Sequence, residues 1–136
     1  MCGIFGGFGI NLDEVQSGIN LINRGEDGIS IKSFENGVIF AARRHLVKKS
    51  GDDDNKKSDQ PYLSENKKIS LIFNGEFYNF SDYKKKLSKE NRIFKSFGDT
   101  EVFLKLYEKN GINFLFDRKI DSLFAIAILD LNLNKI

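Results

Sequence analysis

Met1-Cys2-Gly3-Ile4-Phe5-Gly6-Gly7 opens the chain, and the reading of this stretch decides the rest. Cys2 stands directly behind the initiator methionine and is the only cysteine in 136 residues. If Met1 is removed, Cys2 carries a thiol and a free α-amine on one carbon. Free thiols and α-amines titrate within about one pH unit of each other, so the amine can take the thiol's proton near neutrality, directly or through one water. Such a residue is a nucleophile with its own general base. The apolar run behind it, rich in glycine, reads as a buried strand with room beside its backbone. The plainer reading is that Cys2 is a small buried hydrophobe, and the remainder of the sequence decides between the two.

Length predicts one domain, and 40% hydrophobic residues with thirteen Phe and one Pro are ample for a core. A net charge of +2 calls for neither nucleic acid nor an anionic membrane surface. The abundant Lys and Asn read as solvated surface. One cysteine forms no intrachain disulfide, which fits a reducing compartment. The amino terminus lacks a basic flank followed by a long apolar stretch, and no apolar run reaches the ~18 residues of a membrane span. The expectation is a soluble, cytoplasmic protein.

Working outward, Asn11 or Asp13 caps a helix with Val15, Ile19 and Ile22 on one face, and Gly25 is expected to end it. Runs 29–34 and 37–42, joined at Glu35-Asn36-Gly37, predict a hairpin. Arg43, Arg44 and His45 follow, then a polar stretch from Lys48 to Asp59 with almost nothing to bury, expected as a mobile surface loop. Ile69 to Phe73 is the next strand, landing on Asn74-Gly75-Glu76-Phe77-Tyr78-Asn79. Asn79 or Ser81 caps a helix bearing Tyr83 and Leu87, and 92–97 reads as strand-like. Gly98-Asp99-Thr100-Glu101 opens a helix that buries Val102, Phe103, Leu106 and Tyr107 and stops at Asn110-Gly111. A short helix over 112–116, a strand from Leu123 to Leu129 and a turn from Asp130 complete the pattern. Early strands, interspersed helices and hairpin signals give α+β with antiparallel sheets.

With Asn74-Gly75 in view, the chain resembles the class II glutamine amidotransferases and, among them, the glutaminase domain of asparagine synthetases. The residues that carry this, in the family's order, are the opening Met-Cys-Gly-Ile-Phe-Gly, Asn23-Arg24-Gly25-Glu26-Asp27-Gly28, Arg43-Arg44, Gln60-Pro61, Asn74 to Asn79, Gly98 to Val102, and Leu123 to Ile128. The resemblance implies a four-layer αββα N-terminal-nucleophile sandwich of two antiparallel sheets. It also implies hydrolysis of glutamine to glutamate and ammonia through a Cys2 thioester. Asn74 and the Gly75 N–H would hold the oxyanion, Arg44 the substrate carboxylate, and Asp99, assisted by Glu76, its ammonium. Each has a plainer reading as well. Asn-Gly is a common turn, Asp99 suits a helix N-cap, and the adjacent arginines, pointing to opposite sides of an extended segment, could both be surface; only one can face a pocket, and the resemblance selects Arg44. His45 has no metal-ligand partners and reads as structural or exposed. No metal site is expected, and Gly3-Gly6-Gly7-Gly9 has the wrong spacing for a dinucleotide fingerprint.

Glutamine is therefore the expected substrate and 1–136 the expected glutaminase domain, C-terminally incomplete and without its synthetase domain. No cofactor is expected in this chain, since the family's ATP and Mg belong to the synthetase domain. Ammonia would pass to that domain or to a separate partner chain, and the apolar Leu123–Leu129 strand predicts self-association. Two further readings stay open: a non-catalytic glutamine-binding remnant or regulator, and an ammonia donor for an amino-sugar or surface-polysaccharide pathway.

Overall fold

The computed structural model describes residues 2–45 and 59–136; the loop expected over 48–59, except Asp59, and the fate of Met1 lie outside them. In chain order the elements are β1 (Gly3–Phe8), α1 (Leu12–Asn20), β2 (Gly28–Ser33), β3 (Val38–Arg44), β4 (Tyr62–Leu63), β5 (Ile69–Phe77), α2 (Phe80–Lys89), α3 (Asp99–Asn110), a 3-10 helix (Gly111–Phe116) and β6 (Ser122–Asp130). They form two antiparallel three-stranded sheets, ordered β1-β3-β2 and β4-β5-β6.

Side-chain alternation stacks these sheets into four layers. Successive strand residues point to opposite faces, so Val38, Phe40 and Ala42 of β3 meet Ile72 and Leu129 of the other sheet. The residues between them, Ile39 and Ala41, turn outward onto Val15 and Ile19 of α1. On β5, Leu71 and Phe73 point away from the first sheet into a core with Tyr83, Leu87, Val102, Phe103 and Leu106. The sequence-predicted α+β sandwich, α1 outside one sheet and α2 with α3 outside the other, is the observed one. Phenylalanine fills the second core: the Phe103 ring lies 4.5–5.6 Å, centroid to centroid, from Phe77, Phe73, Phe124 and Phe114. Each of the buried rings, Phe73, Phe77, Phe103 and Phe114, contributes roughly 1.5–3 kcal/mol.

Several local expectations are corrected. The first helix starts where expected, with Asn11 Oδ1 accepting from Glu14 N and Glu14 Oε2 accepting from Asn11 N at 2.9 and 2.8 Å. It ends at Asn20, not at Gly25. Gly25 instead turns at φ 81° with Arg43 O so close that a Cβ would lie 2.6 Å from it. Residues 92–97 form no strand. Their backbone turns in to the buried Glu101 carboxylate, which accepts from Lys95 N, Ser96 N and Ser96 Oγ at 2.7–3.1 Å. Asn79 occupies the N-cap position of α2 without capping it, because its amide bonds Lys119 O and Asp121 N. The helix expected from Gly98 is present, but Gly98 is its N-cap and Asp99 its first residue, which frees the Asp99 side chain for another partner.

Candidate active site

The site is built at one end of the space between the sheets. Ile4 packs in the inter-sheet core opposite Ala42, and Cys2, two residues earlier, takes the same side by strand alternation. Arg44 falls on that side by the same rule. Cys2, Ser30, Ala42, Arg43, Arg44 and Gln60 line one small cavity. The His45 N–H donates to Cys2 Sγ at 3.4 Å, giving the sulfur a backbone donor where β3 ends.

Both arginines border the cavity, contrary to the expectation that only one would, but their guanidinium groups part to different sides. Arg43 reaches back across α1's carboxyl end, donating to Ile22 O at 2.9 Å and Gly25 O at 3.3 Å, and so holds the 21–25 turn. Arg44 pairs with Asp59. His45 is half-exposed, its Nδ1 3.4 Å from Asp27 Oδ2.

The second half of the site is the edge of β5. The Tyr78 N–H donates to Asp121 O at 2.9 Å in continuation of the β5–β6 register, so even-numbered β5 residues bond to β6 and odd-numbered ones face the other edge. At that edge Ile69 N–H donates to Ser64 Oγ at 2.9 Å, and Leu71 lies opposite Tyr62 of β4. β4 then stops. Phe73 N–H is taken by Gln60 Oε1 at 2.6 Å and Phe77 N–H by Asp99 Oδ2 at 3.2 Å. Between them the Gly75 N–H points outward with no hydrogen bond to a described residue. Glycine is required here: a Cβ would lie 2.1 Å from Leu123 O and 2.7 Å from Phe124 Cα. Beside it, Asn74 shares the inter-sheet face with Ile72, and its carboxamide oxygen is buried with no partner among the described residues.

Asp99 lies at the far end of this edge. Burial raises its carboxyl above the ordinary carboxylate range and the Glu76 carboxylate raises it further, while the Phe77 N–H pulls it down. A buried anion with a like charge nearby is a site that a cation would relieve.

The structure thus gathers the sequence-predicted residues into two groups. Cys2 and Arg44 share the cavity; Asn74, Gly75, Glu76 and Asp99 surround the open end of β5 and do not line that cavity. Gln60 belongs to both, lining the cavity and capping Phe73. Sequence reading passed over Gln60 as a binding or positioning residue, along with Asp59. The available signal was its place directly before the chain's only proline. Among the described residues no cluster of three or more His, Cys, Asp or Glu is placed to hold a metal ion, and no helix is long and apolar enough to cross a membrane.

This layering is that of the N-terminal-nucleophile amidotransferases. The fold matches glutamine phosphoribosylpyrophosphate amidotransferase from B. subtilis, solved with ADP and GMP, with a TM-score of 0.55 over 71% of this chain and 22% of that one. Their 21% identity makes it a likeness of fold. The sequence carries the assignment further: residues 1–136 match the glutamine amidotransferase domain, and the chain belongs to that family. It is 44% identical over 77 residues, 57% of its length, to asparagine synthetase [glutamine-hydrolyzing] 2 of Bacillus subtilis (strain 168). Over 137 aligned residues, 96% of its length, it is 30% identical to asparagine synthetase [glutamine-hydrolyzing] 1 of Arabidopsis thaliana. The matched regions make up 10% and 22% of those relatives.

Proposed function

We propose that this domain hydrolyses glutamine to glutamate and ammonia, with Cys2 as nucleophile once Met1 is removed. The Cys2 α-amine accepts the thiol proton, and the sulfur attacks the side-chain amide carbon of glutamine. The C–N bond breaks, the proton leaves with ammonia, and water releases glutamate from the thioester. Negative charge on the carbonyl oxygen is held by Asn74 and the Gly75 N–H, donors that typically contribute a few kcal/mol each in such a site. Arg44 takes the substrate carboxylate as a planar fork, and Asp99 with Glu76 takes its ammonium. The observation that supports this most directly is the outward Gly75 N–H, without a partner among the described residues, between a Phe73 N–H taken by Gln60 and a Phe77 N–H taken by Asp99, in a member of the glutamine amidotransferase family.

The ammonia would serve an asparagine-synthetase-like reaction, after the names of the relatives, in a synthetase part that carries the ATP and Mg chemistry. The reading is tested by purifying the chain, establishing by intact mass whether Cys2 is its first residue, and measuring glutamate release. No release from a chain that begins at Cys2, alone or with a synthetase partner, rejects it.

A further inference from the structure

We infer that Gln60 is a positioning residue for the oxyanion donor, an assignment that rests on the glutamine-hydrolysis reading above. Its carboxamide is used at both ends. Oε1 accepts the Phe73 N–H at 2.6 Å, and Nε2 lies 3.5 Å from Thr100 Oγ1, one residue beyond Asp99 on α3. Gln60 also lines the cavity that holds Cys2. One side chain therefore touches the strand that presents Gly75, the helix that presents Asp99, and the space around the nucleophile.

The open edge of β5 explains why such a residue is needed. Past Leu71 this edge has no strand partner among the described residues, and an unpaired edge is free to slide, twist or recruit another strand. Two side chains hold it. Gln60 and Asp99 cap the outward N–H groups two residues before and two residues after Gly75, each about 7 Å away along the strand at a rise of ~3.4 Å per residue. They fix the direction of the donor between them, whose own N–H has no partner among the described residues. Asp99 has a second role in holding the ammonium, whereas the Gln60 carboxamide is engaged at both ends by the protein itself. Its removal should accordingly disturb charge stabilisation without removing a binding contact.

The test compares the wild-type chain with Gln60→Met, which keeps the length of the side chain and removes its hydrogen bonds. Three quantities are read: kcat and KM for glutamine, and the rate at which iodoacetamide alkylates Cys2, a displacement at carbon that forms no oxyanion. The expected result is a kcat at least tenfold lower with KM and alkylation rate within about twofold of wild type. An unchanged kcat overturns the assignment. So does a parallel fall in kcat and alkylation rate with a rise in KM, which is the mark of a general collapse. Gln60→Asn, one methylene too short to reach Phe73, is the milder second variant: it should show the same split, smaller in size, and a folded variant with wild-type kcat overturns the assignment equally. Absence of turnover in the wild-type chain would reject glutamine hydrolysis itself, a different result from turnover that Gln60 does not influence.

Discussion

Placing a single methyl group on Gly75 tests both the fold and the chemistry of the β5 edge. In Gly75→Ala the new Cβ would sit 2.1 Å from Leu123 O, 2.7 Å from Phe124 Cα and 2.8 Å from the Phe124 Cβ. The first two are backbone atoms of β6 and cannot swing aside. Ordinary contact is about 3.5 Å, so the strands must separate by more than about 1 Å at this point. Overpacking of this kind costs roughly 1–3 kcal/mol, which for a chain of this size lowers Tm by about 3–10 °C. The catalytic consequence is larger, because the displaced unit is the donor itself. An N–H carried about 1 Å from the oxyanion no longer makes a hydrogen bond, and losing one such donor typically lowers kcat by about 10²–10³. The assay is glutamate release against temperature, with iodoacetamide alkylation of Cys2 to show that the nucleophile is intact. Gly18→Ala is the control: its Cβ would meet the Phe5 ring at 2.4 Å, straining the α1–β1 packing away from the β5 edge. It should lower Tm while leaving kcat within a few-fold. A folded Gly75→Ala chain with wild-type kcat would refute the placement of the oxyanion at this edge.

Four other outcomes follow from the same structure. Cys2→Ala should abolish hydrolysis while glutamine still binds, measured by calorimetry, and retained activity would remove Cys2 from the mechanism. Glu101→Ala leaves Lys95 N, Ser96 N and Ser96 Oγ without their acceptor; at roughly 1–3 kcal/mol for a buried unsatisfied group, denaturant titration should show a loss of about 3 kcal/mol. Burial raises Asp99 above its unfolded value, so the stability it contributes is present below the unfolded pKa and is lost as pH rises through the raised one. A bound ammonium favours the opposite form, so KM for glutamine should climb as pH falls through the raised pKa, and Asp99→Asn should flatten that climb. Finally, β6 ends its sheet, and the outer edge of its backbone has no strand partner among the described residues; light scattering should detect self-association, and a monodisperse monomer would contradict it.

The layers were legible in the sequence because β3 and β5 carry apolar runs buried on both faces and the Asn-Gly hairpin and the α3 stop use residues suited to their geometry. Gly111 at φ 58° ends α3 as its residue type suggests. What the sequence concealed was long-range. The strand expected over 92–97 had the right apolar spacing, yet a carboxylate on the following helix captured its backbone. Asp99 looked like an N-cap because acidic residues open helices, and its true partner, Phe77 N–H, is 22 positions away. The same holds for Gln60, whose partners are 13 and 40 positions distant. Local propensity sees neither of them.

On the proposed function, the charges of the site suit the two ends of a zwitterion. A glutamine molecule brings a carboxylate and an ammonium on one carbon, and the fold supplies Arg44 on β3 and Asp99 on α3, in different layers. Arg44 already faces Asp59, so an arriving carboxylate enters as a competitor for that guanidinium, and Asp59, more than half exposed, loses little by turning to water. Asp99 is in the reverse position: it is buried beside another acid, and any cation improves its surroundings. Recognition is therefore asymmetric. Exchange at the arginine would gain little because one carboxylate replaces another, whereas an ammonium would offset the burial and the Glu76 charge that raise the Asp99 carboxyl. If glutamine binds as proposed, affinity for an amino acid should depend more on Asp99 than on Arg44, while Arg44, by its place in the Cys2 cavity, would set which way round the substrate lies.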